Sequence, residues 1–346
     1  MKIGFHNFYE IFHSNRMFED PSSPIGDDLM YPFMYLRKYF EERGHELVTI
    51  DMAPLESFDA VVFLEHPGIT NHYFKKLKQE CPGTPLYLVL VEPDTIRPAN
   101  WNPKNHKDFK KIFSWNTSIA DGDKYVWLNW PTRMTFDENN FRKKSKFCTL
   151  IASNKFSNIR NELYSERRNA IVWFEKNCPD KFDLYGIGWD RIYIESIGRL
   201  NFILDRFYRS MRQIPKIKKY LSYRGPIGNK RDVLKQYKFA ICYENAIADG
   251  WVTEKIFDCF LAGVIPIYLG APDIDNLLPK DIFIDKRVFN SYQELMDYLE
   301  GMTDEQHEKY LSNIRAFLLS NKVDPWTPDY YARVLERELV NLSCVE

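Results

Sequence analysis

No run of about 18 apolar residues occurs anywhere in the chain, which excludes a membrane-spanning helix at the level of sequence. Neither sign of charge is in excess. Forty-seven Lys and Arg stand against 48 Asp and Glu, a formal net charge of −1. No global field therefore recruits nucleic acid or a lipid surface, and such binding would need a local patch. The six cysteines (Cys81, Cys148, Cys178, Cys242, Cys259, Cys344) form no C-x-x-C pair and lack zinc spacing with histidines. Several lie inside apolar stretches such as Phe239-Ala-Ile-Cys242-Tyr243, where they read as small buried hydrophobes suited to a reducing compartment. Nothing resembling a leader precedes the first strand pattern, Lys2–Phe5, so the expectation is a cytoplasmic protein. Internal repeats and low-complexity segments are also missing.

What is present is globular: 45% apolar and 27% charged residues over 346 positions, long enough for two cores. Short apolar runs alternate with amphipathic stretches. Lys2–Phe5, Glu46–Ile50, Ala60–Leu64, Leu86–Val91, Ile112–Trp115 and Tyr125–Leu128 read as strands; Leu29–Arg43, stopped by Gly44, and His72–Glu80 read as helices. The polar segment Asp137–Lys146 reads as a linker. A second series follows, with strands at Phe147–Ala152, Phe182–Tyr185, Phe239–Tyr243, Val264–Leu269 and Ile282–Ile284. Its helices are Glu162–Asn177, Val252–Ala262, Tyr292–Gly301 and Asp304–Ser320. This rhythm predicts an α/β protein of two Rossmann-like domains facing a cleft, 1–144 and 145–346. Arg199–Arg224 breaks the alternation, with eight basic residues and one acid among apolar side chains. It reads either as a solvated helix on the domain edge or as a basic amphipathic patch for an anionic membrane face or a lipid-linked acceptor.

The most informative stretch runs from Tyr237 to Gly270. A strand ends in Glu244-Asn245, a polar loop carries Trp251, and a helix opens at Val252-Thr253-Glu254-Lys255; a proline-containing strand, Val264–Gly270, follows. Lys255 stands at the positive end of a helix, where acids are normally favoured. A cation there makes sense beside a bound anion, and a diphosphate would meet N–H groups, dipole and ammonium together. This register resembles glycosyltransferase family 10, the α1,3/α1,4-fucosyltransferases, and so does Phe147–Asn154 followed by arginines and Tyr185-Gly186. The resemblance spans about Phe147 to Ile284. It implies the two-domain GT-B architecture, inverting chemistry and a GDP-β-L-fucose donor held by the C-terminal domain. By motif position, Glu244, Asn245, Trp251 and Thr253 would line the donor pocket. Glu254 would hold the ribose or the fucose, and Lys255 the diphosphate. The family more often has Tyr where Trp251 stands. An arginine on the diphosphate is also implied, with Arg160 and Arg168 as candidates and Arg168 favoured for its distance to Tyr185-Gly186.

Inverting transfer needs one base on the acceptor side. The family places a glutamate at the end of an N-domain strand, and Leu86–Glu92-Pro93 fits, with Glu65 in Ala60–Glu65-His66-Pro67 as its rival. Trp101, Trp115, Trp127 and Trp130 fall near N-domain loops, as packing residues or as stacking faces for an acceptor. Asp121-Gly-Asp123 reads as a turn, and no obligatory metal is expected. The sequence thus points to transfer of L-fucose to a hydroxyl of an N-acetylglucosamine-type acceptor, in an oligosaccharide or lipopolysaccharide precursor. Another GDP-sugar donor, or a non-catalytic nucleotide- or glycan-binding module, are the alternatives. Nucleic acid is not an expected partner.

Overall fold

The computed structural model describes residues 1–22, 28–190 and 220–340. Two six-stranded sheets organise the chain. The first contains β1 (Lys2–Asn7), β2 (Glu46–Thr49), β3 (Ala60–Leu64), β4 (Leu86–Leu90), β5 (Lys111–Ser114) and β6 (Tyr125–Trp127), in the order β2-β1-β3-β4-β5-β6. The second contains β7 (Lys146–Ile151), β8 (Phe182–Tyr185), β9 (Tyr223–Gly225), β10 (Tyr237–Tyr243), β11 (Ile265–Leu269) and β12 (Ile284–Asp285), in the order β12-β11-β10-β7-β8-β9. Neighbouring strands are parallel throughout. Parallel sheets are covered on both faces, which is why β3 and β4 are apolar and buried at every position.

Helices α1 (Tyr31–Glu41) and α2 (His72–Glu80) flank the first sheet; α3 (Tyr164–Asn177), α4 (Glu254–Leu261), α5 (Tyr292–Gly301) and α6 (Asp304–Leu318) flank the second. Most of α4 is buried, with Ile256, Phe257 and Phe260 fully enclosed in the second lobe's core. This is the expected α/β class. The basic stretch Arg199–Arg224 lies outside the described residues except for its last five, of which Tyr223 and Arg224 join the edge strand β9. No helix among the described residues is long and apolar enough to cross a membrane.

The polar segment Asp137–Lys146 is pinned to the second lobe. Lys144 is buried and donates to the carbonyls of Asn140, Lys235 (3.1 Å) and Ala262 (3.0 Å). A further helix, α7 (Pro328–Leu339), leaves the second lobe and crosses back to the first. Tyr331, Ala332, Val334, Leu335 and Leu339 share a core with β1, β3 and α1. Tyr35 and Tyr39 of α1 donate to Asp329 (2.9 Å) and Glu336 (2.8 Å), and Lys111 of β5 pairs with Glu338 at 3.0 Å. The first lobe is thus closed by the far end of the chain. The described cysteines are free thiols, with Cys148, Cys242 and Cys259 buried.

Candidate active site

The carboxyl end of β10 is the anchor of the site. Glu244 is fully buried there and accepts from the Thr253 N–H (2.8 Å), the Thr253 hydroxyl (2.8 and 2.9 Å) and the Lys255 ammonium (2.9 Å). Gly270, just past β11, leaves space for this carboxylate: a Cβ there would come within 2.6 Å of Glu244 Cγ and 2.4 Å of the Tyr268 hydroxyl. Thr253 caps α4, and Lys255 donates to its hydroxyl at 2.8 Å. Lys255 therefore already has a carboxylate partner. Its side chain is still 26% exposed at the first turn of the helix. Burial works against its charge, but Glu244 and then Glu254 outweigh that and hold the ammonium well above the usual lysine range. Glu254 is the more open acid, 39% exposed with Lys230 3.9 Å away. Burial raises its pKa, but Lys255 and Lys230 prevail and bring it down to about 2.

Asn245 accepts at its side-chain oxygen from Arg167 (3.0 Å), whose same nitrogen donates to the Tyr243 carbonyl at 2.6 Å. The arginine brought against the motif is thus Arg167. Burial pulls its guanidinium below the ordinary arginine value. Arg168, one residue on, is buried on another side of α3; its guanidinium donates to the Lys155 carbonyl at 2.8 Å and lies 5.8 Å from the Phe156 ring. Arg160 is exposed in the loop before α3. A spacing argument could locate this arginine only to within a residue, because α3 turns successive side chains about 100° apart.

Across the cleft, Glu92 follows β4 and is half-buried. Burial raises its carboxyl above the ordinary range, against the pull of Lys255 and then Lys155, with Glu254 adding to the rise. The acid of the first lobe therefore lies within the electrostatic reach of the second lobe's cation. Tyr164, at the start of α3, also feels both Glu92 and Lys255. The backbone of Glu92 is clamped. Its N–H donates to Glu65 (2.8 Å), while its carbonyl accepts from the Trp101 indole (3.0 Å) and the Asn100 amide (3.4 Å). Glu65 itself is buried, left-handed at φ +70°, and also accepts from the Asn100 side chain. Burial raises its pKa to about 7 against these donors. The two rival glutamates therefore have different surroundings: Glu92 is half-buried and within the field of Lys255, whereas Glu65 is buried and holds the Glu92 backbone.

Trp251 is placed at the lobe junction. Its ring lies 4.5 Å from that of Trp115, which lies 5.0 Å from Trp101, and only 4% of Trp251 is exposed. Gly250, at φ +77°, permits this approach: a Cβ would sit 2.1 Å from the Trp115 carbonyl oxygen. Asp273 ties both sides, accepting from the Gly250 N–H (2.8 Å) and the Thr117 hydroxyl (2.5 Å). Trp115, through its indole, holds the Val91 carbonyl at 3.0 Å. The N-domain tryptophans are used for packing and backbone anchoring; Trp130 packs edge-on against Phe33 at 5.7 Å and Trp127 against Trp326 at 6.5 Å. Asp121 accepts from the N–H groups of Asp123 and Tyr125, both at 2.8 Å, so Asp121-Gly-Asp123 is a turn. No group of three His, Cys, Asp or Glu among the described residues could hold a metal.

Comparison with known proteins places this geometry. Residues 203–317 match the profile of glycosyltransferase family 10 (fucosyltransferase), C-terminal part. The α-(1,3)-fucosyltransferase FucT of Helicobacter pylori is 34% identical over 102 residues, 28% of this chain and 21% of that protein. An α-(1,4)-fucosyltransferase of Arabidopsis thaliana is 25% identical over 189 residues, 53% of this chain and 47% of that one. The matched part thus spans less than half the length of either relative. A crystal structure of an α1,3-fucosyltransferase with GDP superposes with a TM-score of 0.56 over 98% of this chain and 90% of the other, at 16% identity, a likeness of fold. That fold is GT-B. In the strand, loop and helix around Glu244 and Lys255, this chain is similar to glycosyltransferase family 10, over about a third of its length.

Proposed function

We propose that the protein transfers L-fucose from GDP-β-L-fucose to a hydroxyl of an N-acetylglucosamine-type acceptor, in an α1,3 linkage, with inversion. The observation that carries this reading is that Glu92, half-buried just past β4, lies within the field of the Lys255 ammonium, which pulls its carboxyl down against the effect of burial. In a single displacement the acceptor hydroxyl gives its proton to Glu92 as its oxygen attacks the anomeric carbon, and GDP leaves toward the second lobe. A carboxyl raised by burial suits a base working near neutral pH. Lys255 and the arginines of α3 would receive the diphosphate, while Glu254 is open enough to meet the ribose or the fucose. The C-terminal family match and the fucosyltransferase relatives support the donor.

The test is GDP release from GDP-fucose, GDP-mannose and UDP-galactose, each with and without N-acetyllactosamine, for the wild type and Glu92→Gln. Acceptor-dependent release from GDP-fucose, lost in the variant with GDP affinity kept, is the expected outcome. Release from another donor would refute the fucose assignment, and a variant with wild-type turnover would refute the base. GDP binding without turnover from any donor would favour a binding module.

A further inference from the structure

Exposed aromatic surface near the base is concentrated at the end of β1, a segment without a role so far. Asn7 closes that strand and accepts the Tyr9 N–H at 2.9 Å, a tight turn that throws two successive aromatic side chains outward. Phe8 is 39% exposed and Tyr9 48%, in contact edge to face at 5.5 Å. Such aromatic exposure is unusual in a chain whose N-domain tryptophans are used for packing. The turn stands at the carboxyl edge of the first sheet, the edge that bears Glu92, with only β3 between β1 and β4. Two strand spacings amount to about 10 Å, room for one pyranose ring between the Tyr9 and Glu92 positions. The Tyr9 phenol feels the charges of Glu92, Arg97 and Glu65, so these groups share a neighbourhood.

Arg97 completes the wall. Its guanidinium carbon lies 3.4 Å from the Phe8 ring centroid, and one terminal nitrogen donates to the His66 carbonyl at 3.3 Å. Its Nε is buried without a hydrogen-bond partner. A half-buried guanidinium over an aromatic ring, with one terminal nitrogen engaged, keeps a terminal donor for an oxygen ligand.

We infer that Phe8, Tyr9 and Arg97 form the acceptor platform. The apolar face of an N-acetyllactosamine-type sugar would stack on Tyr9, with Arg97 donating to an oxygen of that sugar and the reacting hydroxyl turned to Glu92. The assignment rests on the reading of Glu92 as the base. It names Arg97 and the two aromatics as specificity-determining residues that touch the acceptor and not the donor.

The test is N-acetyllactosamine binding by saturation-transfer NMR in the presence of GDP, with steady-state kinetics on GDP-fucose and N-acetyllactosamine. Tyr9→Ala and Arg97→Met should each weaken acceptor binding and raise acceptor KM by about tenfold, leaving GDP affinity and GDP-fucose KM unchanged. Tyr9→Phe should stay near wild type, since the ring face carries the contact. Tyr9 is exposed, so a circular dichroism spectrum and melting temperature like wild type are expected for its variants. Acceptor affinity unchanged in both Tyr9→Ala and Arg97→Met would overturn the platform, as would a wild-type protein that does not bind N-acetyllactosamine. The base reading fails separately: Glu92→Gln with full turnover would sink it even where Tyr9→Ala weakens the acceptor.

Discussion

Lys255 has two partners in this reading, Glu244 inside the protein and a diphosphate outside it, and a single substitution confounds them. Removing the ammonium leaves the fully buried Glu244 facing only Thr253. An uncompensated buried charge costs about 3–5 kcal/mol, so Lys255→Met should melt markedly below wild type whatever its role in binding. Glu244→Gln/Lys255→Met removes both charges and should regain most of that stability. If Lys255 meets diphosphate, GDP affinity stays about tenfold weaker in the rescued double variant. A double variant that binds GDP like wild type would reduce Lys255 to a structural ion-pair partner. Glu65 poses the converse question, because its N–H donors from Val91, Glu92 and Asn100 favour the carboxylate whereas burial favours the acid. With the native value near 7 against an ordinary 4.5, the folded protein holds a proton that the unfolded chain has released. That contribution is present in full below about pH 4.5 and is lost as pH rises through 7. Urea unfolding of wild type and Glu65→Gln should show wild type falling behind by on the order of 3 kcal/mol between those pH values. A difference that does not change with pH would mean that the N–H donors win and Glu65 is ionised throughout.

At the scale of elements, the loop before α4 is seated on the first lobe by one glycine and two indoles. Gly250→Ala places a Cβ against the Trp115 carbonyl at a left-handed position, so neither the backbone nor the neighbour can accommodate it. The variant should lose at least about 1–2 kcal/mol and most of its turnover, with a red shift of tryptophan emission as Trp251 leaves Trp115. Unchanged emission and turnover would show that the contact is dispensable. Trp251 also marks where sequence reading stopped. The motif gave its position and its aromatic nature, but not that its ring packs on the other lobe, because nothing local encodes a partner 136 residues away. The same holds for Arg167 and Arg168, where the spacing was legible and the helix face was not. Elements with strong local signals were read directly: β3, α2, β8 and α5 run where apolar runs and polar stops place them. The edge strand β9 was not, since three half-polar residues carry no alternation to read. Phe8 and Tyr9 carry no local signal of exposure for a related reason: two aromatics after a strand read equally well as packing residues, and only the Asn7 turn exposes them.

The whole molecule is more entangled than a boundary near residue 145 implies. The first sheet is completed by α7, whose Leu335 and Ala332 are fully enclosed against α1 and the β1–β3 face. Burying one large apolar side chain contributes roughly 1.5–3 kcal/mol. Tyr331, Val334, Leu335 and Leu339 together therefore contribute on the scale of a domain's whole stability, about 5–15 kcal/mol. The second lobe has a separate core and holds Glu244, Thr253, Glu254 and Lys255 without help from α7. Deleting residues 328–346 should then uncouple the two lobes. The first becomes protease-sensitive and loses Glu92 and the Phe8–Tyr9 turn as ordered surfaces, and acceptor-dependent transfer disappears. If the second lobe holds the donor, as proposed, GDP affinity falls far less. Limited proteolysis with mass spectrometry would map the cuts, and calorimetry would follow GDP. If the truncated chain keeps its transfer activity, the first lobe folds without α7. If GDP binding is lost together with transfer, the donor site depends on the closed pair of lobes, and the Trp115–Trp251 contact becomes the first place to look for that dependence.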